Sequence, residues 1–166
     1  MNVRNSTYED LPAIRETYAY ARELMKRNGN PTQWGDKFPS ESKVIGDIEK
    51  GTGYVIEEDG EILGVFAFII GPDPTYDLIE DGAWLNDTDE YGTIHRIATN
   101  GKGHGVFDAA ISYCGSRIPN LRIDTHPDNK AMLHLISSRG FTRCGIIYTE
   151  DDGTPRIAFQ RLVAGG

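Results

Sequence analysis

The stretch Ile94 to Cys114, IHRIATNGKGHGVFDAAISYC, limits the fold of this chain more than any other. Tyr91 to Ala98 alternates like a strand, glycines follow at 101, 103 and 105, and apolar residues then recur at helical spacing. A second passage of the same kind comes after it. Leu121 to Thr125 is rich in β-formers, Asp128 is placed to cap a helix, and Met132, Leu135 and Ile136 share one side of it before Gly140 stops it. Strands that alternate with helices in this way predict a sheet with helices on its faces.

The rest of the chain fits that frame. Val3 to Asn5 is a short first strand, and Asp10 is placed to cap a helix that begins near Leu11 with Pro12 in its first turn. Ile14, Tyr18, Ala21 and Met25 recur at helical spacing up to Gly29. Asn30 to Ser40 reads as a loop holding Gln33, Trp34 and Phe38. A second helix, capped by Ser40 or Ser42, carries Val44, Ile45 and Ile48. Tyr54–Glu57 and Ile62–Ile70 form a hairpin around Asp59-Gly60, ended by Gly71-Pro-Asp-Pro74. Thr75 to Glu90 is acidic and irregular. Phe141–Thr149 and Arg156–Gln160 close the chain as a hairpin around Asp152-Gly153. The order is β-α-α-β-β-β-α-β-α-β-β, an α/β mixed sheet. With 166 residues and no repeat, one domain over 1–166 is expected.

Charge and composition exclude several classes. A net charge of −8 argues against a nucleic-acid partner and mildly favours cationic ones. No run of about 18 apolar residues exists, so no membrane partner is expected. The start MNVRNSTYED lacks a signal-peptide pattern, and a cytoplasmic location is expected. Cys114 and Cys144 read as reduced core thiols. A homodimer is compatible with the sequence.

Glycine-rich turns that open a helix often hold phosphates, because small residues let backbone N–H groups approach an anion at the helix's positive end. Two well-known loops fail here. Lys102 is followed by Gly103 and not by a hydroxyl residue, and the G-x-G-x-x-G pattern lacks its third glycine. On the glycines alone, an anion cradle and a ligand-free connection both remain open.

The strand IHRIA, the basic glycine turn, a helix, the strand LRIDTH and then DNKAMLHLISSRGF together resemble the GCN5-related N-acetyltransferases, the GNAT superfamily. The resemblance covers about Tyr91 to Phe141, and the order of elements before it agrees. It implies a mixed, mostly antiparallel sheet flanked by helices. It also implies acetyl-CoA as co-substrate and transfer of an acetyl group to an amine. The turn, Lys102 to Phe107 with Gly103, His104, Gly105 and Val106, would hold the pyrophosphate. Ile97, Ala98 and Thr99 at the strand's end would pair with the pantetheine arm. The family's turn reads [RQ]-x-x-G-x-[GA], and either Asn100 or Lys102 can take its first position. A helix burying Ala110, Ile111, Cys114 and Ile118 favours Lys102, because the other register would bury Asp108. That register leaves Phe107 where a small residue is usual. The motif N-x-x-A-x-x-L-Y-x-x-x-G-F is matched by Asn129, Leu135, Gly140 and Phe141, and Asn129 would bond the pantetheine region. Ile136 replaces the tyrosine that often protonates the departing thiolate.

Acetyl transfer needs an uncharged amine, donors for an oxyanion and a route for a proton. Strand amides near Ala98 suit the oxyanion. His95 is the preferred base, since histidine is the residue type suited to proton transfer near neutral pH. Alternation places Arg96 on the opposite face. His126 and Tyr148 are further catalytic candidates, with Tyr91 an alternative acid. The spacing Asp124-x-His126-x-Asp128 gives too few ligands for a metal. Gln33, Trp34, Phe38 and Trp84 are the candidates for an aromatic acceptor wall, and Ile79 to Glu90 is expected to draw a cationic amine. Ile136 and Phe107 raise the alternative of an acyl-CoA-binding module without catalysis. Another acyl group, such as succinyl, is a third reading, which a basic residue in the acceptor cleft would favour.

Overall fold

The protein is seen in a computed structural model that describes residues 1–150 and 153–162. Eleven regular elements follow the expected order: β1 Asn2–Asn5, α1 Leu11–Arg27, α2 Glu41–Lys50, β2 Gly53–Glu58, β3 Glu61–Ile70, β4 Gly92–Thr99, α3 Val106–Arg117, β5 Asn120–Thr125, α4 Lys130–Ser138, β6 Thr142–Tyr148 and β7 Pro155–Leu162. The strands hydrogen-bond in the order β1-β2-β3-β4-β5-β7-β6. β1–β2, β2–β3, β5–β7 and β6–β7 pair antiparallel, and β4–β5 pair parallel at Gly92↔Leu121 and Thr93↔Arg122. Asp152 of the closing turn lies outside the described residues.

The chain clusters into two compact units. The first comprises Met1–Ile69 and Ile94–Cys114, the second Ile70–Thr93 and the described residues of Gly115–Gly166. In the first, the α1 stripe buries Ile14, Tyr18 and Ala21 with Val44 of α2, Val55, Val65 and Ala98. Asp59 and Gly60 between β2 and β3 both take positive φ, 53° and 79°, as a two-residue hairpin turn requires. The start of α1 corrects the expected cap. Asp10 makes no cap bond to the helix. Its carboxylate accepts the Thr7 N–H at 2.8 Å and a forked pair from Arg4 at 2.8 and 2.9 Å. Arg4 holds that carboxyl below the usual range. For α2 the cap is Ser40, whose Oγ accepts the Lys43 N–H.

In the second unit Tyr76, Trp84, Tyr91, Cys144, Ile147 and Ala158 form the core. The outer edge of β6 is covered, because Glu80 and Ile146 exchange backbone bonds of 2.9 and 2.8 Å. An uncovered edge would offer free N–H and C=O groups to other chains. Two glycines make this cover fit. A Cβ on Gly145 would lie 2.5 Å from the Glu80 carbonyl oxygen, and one on Gly82, at φ +153°, would collide with the Cys144 carbonyl. Gly82→Ala is therefore expected to destabilise the protein by about 2 kcal/mol or more. A thermal melt unchanged from wild type would contradict the close approach.

Segment 75–90 is irregular and mostly exposed, as its composition predicts, but Tyr76 and Trp84 anchor it in the core. Trp84 is 8% exposed, and its Nε1–H donates to the Tyr76 carbonyl at 3.1 Å. The Arg122 guanidinium lies 3.9 Å from the Trp84 ring centroid and 3.7 Å from that of Tyr91. Gln160, fully buried in β7, accepts the Leu85 and Asn86 N–H groups and donates to the Asn86 carbonyl. Long-range partners order the segment in place of regular secondary structure.

Candidate active site

The turn between β4 and α3 is built on β3. The Asn100 N–H donates to the Leu63 carbonyl at 3.1 Å, and its Nδ2 donates to the Ile62 carbonyl at 2.8 Å. Asn100 Oδ1 also accepts the Lys102 N–H, and Thr99 Oγ1 donates to the Leu63 carbonyl. Asn100 therefore fastens the turn. Lys102 instead extends into solvent, 3.2 Å from Glu61, with both side chains more than half exposed. Such a surface pair is worth little and is easily exchanged for another anion.

The three glycines differ in surroundings. A Cβ on Gly101 would strike the Tyr20 hydroxyl, and one on Gly103 would lie 2.7 Å from Leu63 Cδ1. Gly105, at φ +76°, faces open space. The first backbone bond into α3 runs from the Ala109 N–H to the Gly105 carbonyl at 2.9 Å. The amides of Val106, Phe107 and Asp108 precede it and lie at the helix's positive end. Phe107 is 8% exposed, its ring in the buried face with Val106, Ala110, Ile111 and Cys114. Asp108 is exposed, as the helical periodicity predicts. β3 makes room for the start of α3 at Gly64, where a Cβ would lie 2.5 Å from Val106 Cγ1.

β4 is not a regular strand. Arg96 has φ +53° and breaks the alternation that the sequence implies. Among the described residues, the other non-glycine positions with positive φ, Asp59 and Asp81, lie outside strands. A left-handed residue of this kind costs about 1–3 kcal/mol and persists only where its surroundings impose it. Both ends of Arg96 are held. The Tyr18 hydroxyl donates to its carbonyl at 2.8 Å, and Asp47 takes Nε at 3.1 Å and Nη2 at 2.7 Å. Burial pushes the Tyr18 hydroxyl well above its usual range, so it stays a donor. His95 and Ile97 on either side are half-buried, and Ala98 is in the core.

The second unit holds the other candidates. Asn129, and not Asp128, caps α4, its Oδ1 accepting the Met132 N–H at 3.1 Å. The two residue types cap equally well, and the helix starts one residue later than expected. His126 Nδ1 accepts the Asp128 N–H at 2.9 Å, which requires that nitrogen to be unprotonated. Tyr148 is exposed and donates to Glu80 at 3.0 Å, and that bond raises its pKa above the usual value. The Tyr91 hydroxyl accepts the Asp73 N–H at 2.7 Å. Ile136 is fully buried, and its hydrocarbon side chain supplies no acid at that position. His104 and His134 are exposed.

A cleft of about 460 Å³ opens within this unit. Buried Tyr76, Tyr91 and Arg122 line it together with Asp77, Asp87, Asp89 and Glu90. The Tyr76 hydroxyl donates to Asp124 at 2.6 Å, and burial raises its pKa far above the usual value. Among the described residues, no three His, Cys, Asp or Glu are grouped to hold a metal ion. No described helix is long and apolar enough to cross a membrane.

The aromatic acceptor wall needs correction. Trp34 is 9% exposed and packs edge-on against Tyr18 at 5.6 Å, and Trp84 is likewise a core residue. Gln33 accepts from Asn30 Nδ2 at 2.7 Å. Sequence reasoning missed Tyr18, Asp47, Arg122 and Gln160. Arg122 and Gln160 each sit in a strand beside apolar neighbours, Leu121 and Ile123 for the first and Phe159 for the second.

No family model matches the sequence, and neither does any curated protein. Solved structures do. A GNAT-family acetyltransferase from Streptococcus agalactiae is 30% identical, with a TM-score of 0.86, over 98% of this chain and 95% of its own. Another from Listeria monocytogenes is 22% identical, with a TM-score of 0.70, over 98% and 94%. A GNAT-superfamily phosphinothricin acetyltransferase from Sinorhizobium meliloti, solved in complex with AcCoA, shares the fold at 16% identity and a TM-score of 0.63, over 99% and 89%.

Proposed function

Because the chain belongs to the GNAT family of acetyltransferases, we propose that it moves an acetyl group from acetyl-CoA to a primary amine of a small molecule or peptide by direct attack. The observation that carries this reading is the turn before α3. There Gly105 leaves an open face, three amides lead the helix, and the Lys102 side chain pairs with Glu61 at the surface. Those groups suit a pyrophosphate, since helix N-termini bind anions. The AcCoA complex of the Sinorhizobium meliloti protein supports the same co-substrate here. Residues 1–166 would act as one catalytic domain.

In the reaction, the amine lone pair forms the new N–C bond while the C–S bond breaks and its electron pair leaves with sulfur. His95 takes the amine proton, directly or through a water. Amides of β4 near Ile97 and Ala98 hold the developing oxyanion, a type of donor worth about 10²–10³ in rate. With Ile136 at the family's tyrosine position, sulfur leaves as thiolate and takes its proton from solvent. The carboxylates of Asp77, Asp87, Asp89 and Glu90, with the net charge of −8, support a cationic acceptor.

His95→Ala is expected to lower kcat/KM about 10²-fold. An unchanged kcat/KM would exclude His95 as the base. Buried Ile136 favours one second reading, a module that binds acyl-CoA without turnover.

A further inference from the structure

Arg96 takes a left-handed conformation inside β4, where extended backbone is the rule, and two side chains from different helices hold it there. Tyr18 of α1 reaches its carbonyl, and Asp47 of α2 grips its guanidinium in a fork. The Arg96 and Asp47 side chains are only 13% and 14% exposed, so the pair is shielded and geometrically fixed. Tyr18 is itself fixed by the core, packed against Trp34. A left-handed residue in a strand disrupts the ladder and re-aims the groups beside it. The groups beside Arg96 are His95 and the amides of Ile97 and Ala98.

We propose that Tyr18, Asp47 and Arg96 form a positioning lock, which holds the kink in β4 and so aims the Ile97 and Ala98 amides and His95 at the reacting thioester. The inference rests on the acetyl-transfer reading, and it predicts that turnover depends on helices far from Arg96 in sequence.

Glycine adopts a positive φ without strain, and alanine does not. This difference separates positioning from stability. Asp47→Asn and Arg96→Ala are expected to reduce kcat by about 10²-fold, the scale of a 1 Å misplacement. Their Kd for acetyl-CoA should stay within about threefold of wild type, because the lock makes no phosphate contact. Arg96→Gly, which lacks the ion pair but keeps the kink accessible, is expected to recover at least tenfold over Arg96→Ala. Tyr18→Phe keeps the packing and should lose roughly tenfold in kcat. Wild-type kcat in folded Asp47→Asn or Arg96→Ala would overturn the lock, and so would an Arg96→Gly variant no better than Arg96→Ala. If wild type neither binds nor turns over acetyl-CoA, the acetyl-transfer reading fails. Amide hydrogen exchange of the ligand-free protein still tests the lock in that case. Faster exchange at Ile97 and Ala98 in Asp47→Asn supports it, and unchanged exchange overturns it.

Discussion

Gly105→Glu is expected to abolish useful acetyl-CoA binding, raising Kd at least about 50-fold while leaving the fold intact. Two effects add. At φ +76° a side chain strains the backbone by about 1–2 kcal/mol. The new carboxylate would also sit at the positive end of α3, where the phosphates are proposed to bind, and repel them. Nothing lies within 4 Å of a Cβ built on Gly105, so the protein itself should tolerate the change. Gly105→Ala carries only the strain and should raise Kd by roughly tenfold. Gly101 and Gly103 predict a different pattern, because their Cβ atoms would meet Tyr20 and Leu63 and disturb the turn. Calorimetric titration of the three variants reads this order directly. An unchanged Kd for Gly105→Glu would remove the turn as the phosphate site.

Arg122→Ala is expected to be the most destabilising single truncation in the second unit. The side chain is 1% exposed, and its guanidinium lies within 4 Å of the Trp84 and Tyr91 ring centroids. It donates to the Asn86 carbonyl at 3.0 Å and approaches Asp87 at 3.2 Å. Removing it opens a cavity between two rings and releases the bonds that hold residues 84–91. Breaking a buried charged pair costs about 3–5 kcal/mol, although Asp87 is exposed and lowers that figure. About 3 kcal/mol would lower Tm by roughly 6–12 °C in a chain of this size. Arg122→Lys should recover little, because an ammonium neither stacks between two rings nor forks. Near-ultraviolet circular dichroism should lose the Trp84 signal in parallel. A melt within about 2 °C of wild type would contradict the stacked arrangement.

Much of the fold was legible because local patterns agree with the tertiary structure. The stripe Ile14, Tyr18 and Ala21 needed only helical periodicity, and Asp59-Gly60 needed only turn chemistry. The face of α3 followed from the spacing of Ala110, Ile111 and Cys114. Segment 75–90 was legible as irregular, but its anchors were not, because they are Arg122 and Gln160, which lie 36 and 74 positions from Asn86. No window of sequence contains such partners. Trp34 and Trp84 became acceptor candidates for the same reason: a tryptophan in a polar stretch reads as exposed until its neighbours are known.

The site was legible in part. The glycine turn and the Asn129 helix stand out as motifs, and the resemblance they carry agrees with the family. The kink at Arg96 left no mark, since alternation is a rule about regular strands and Arg96 departs from one. Its causes, Tyr18 and Asp47, lie 78 and 49 residues away on two helices. Tyr18 was legible only as a core residue of α1, and Asp47 drew no notice at its own position.

Amine-dependent thiol release from acetyl-CoA, measured over a panel of primary amines from anionic to polycationic, tests the proposed function most directly. Release that requires both substrates and is fastest with cationic amines is the predicted result. Saturable acetyl-CoA binding with no release for any amine would contradict acetyl transfer and leave a binding module.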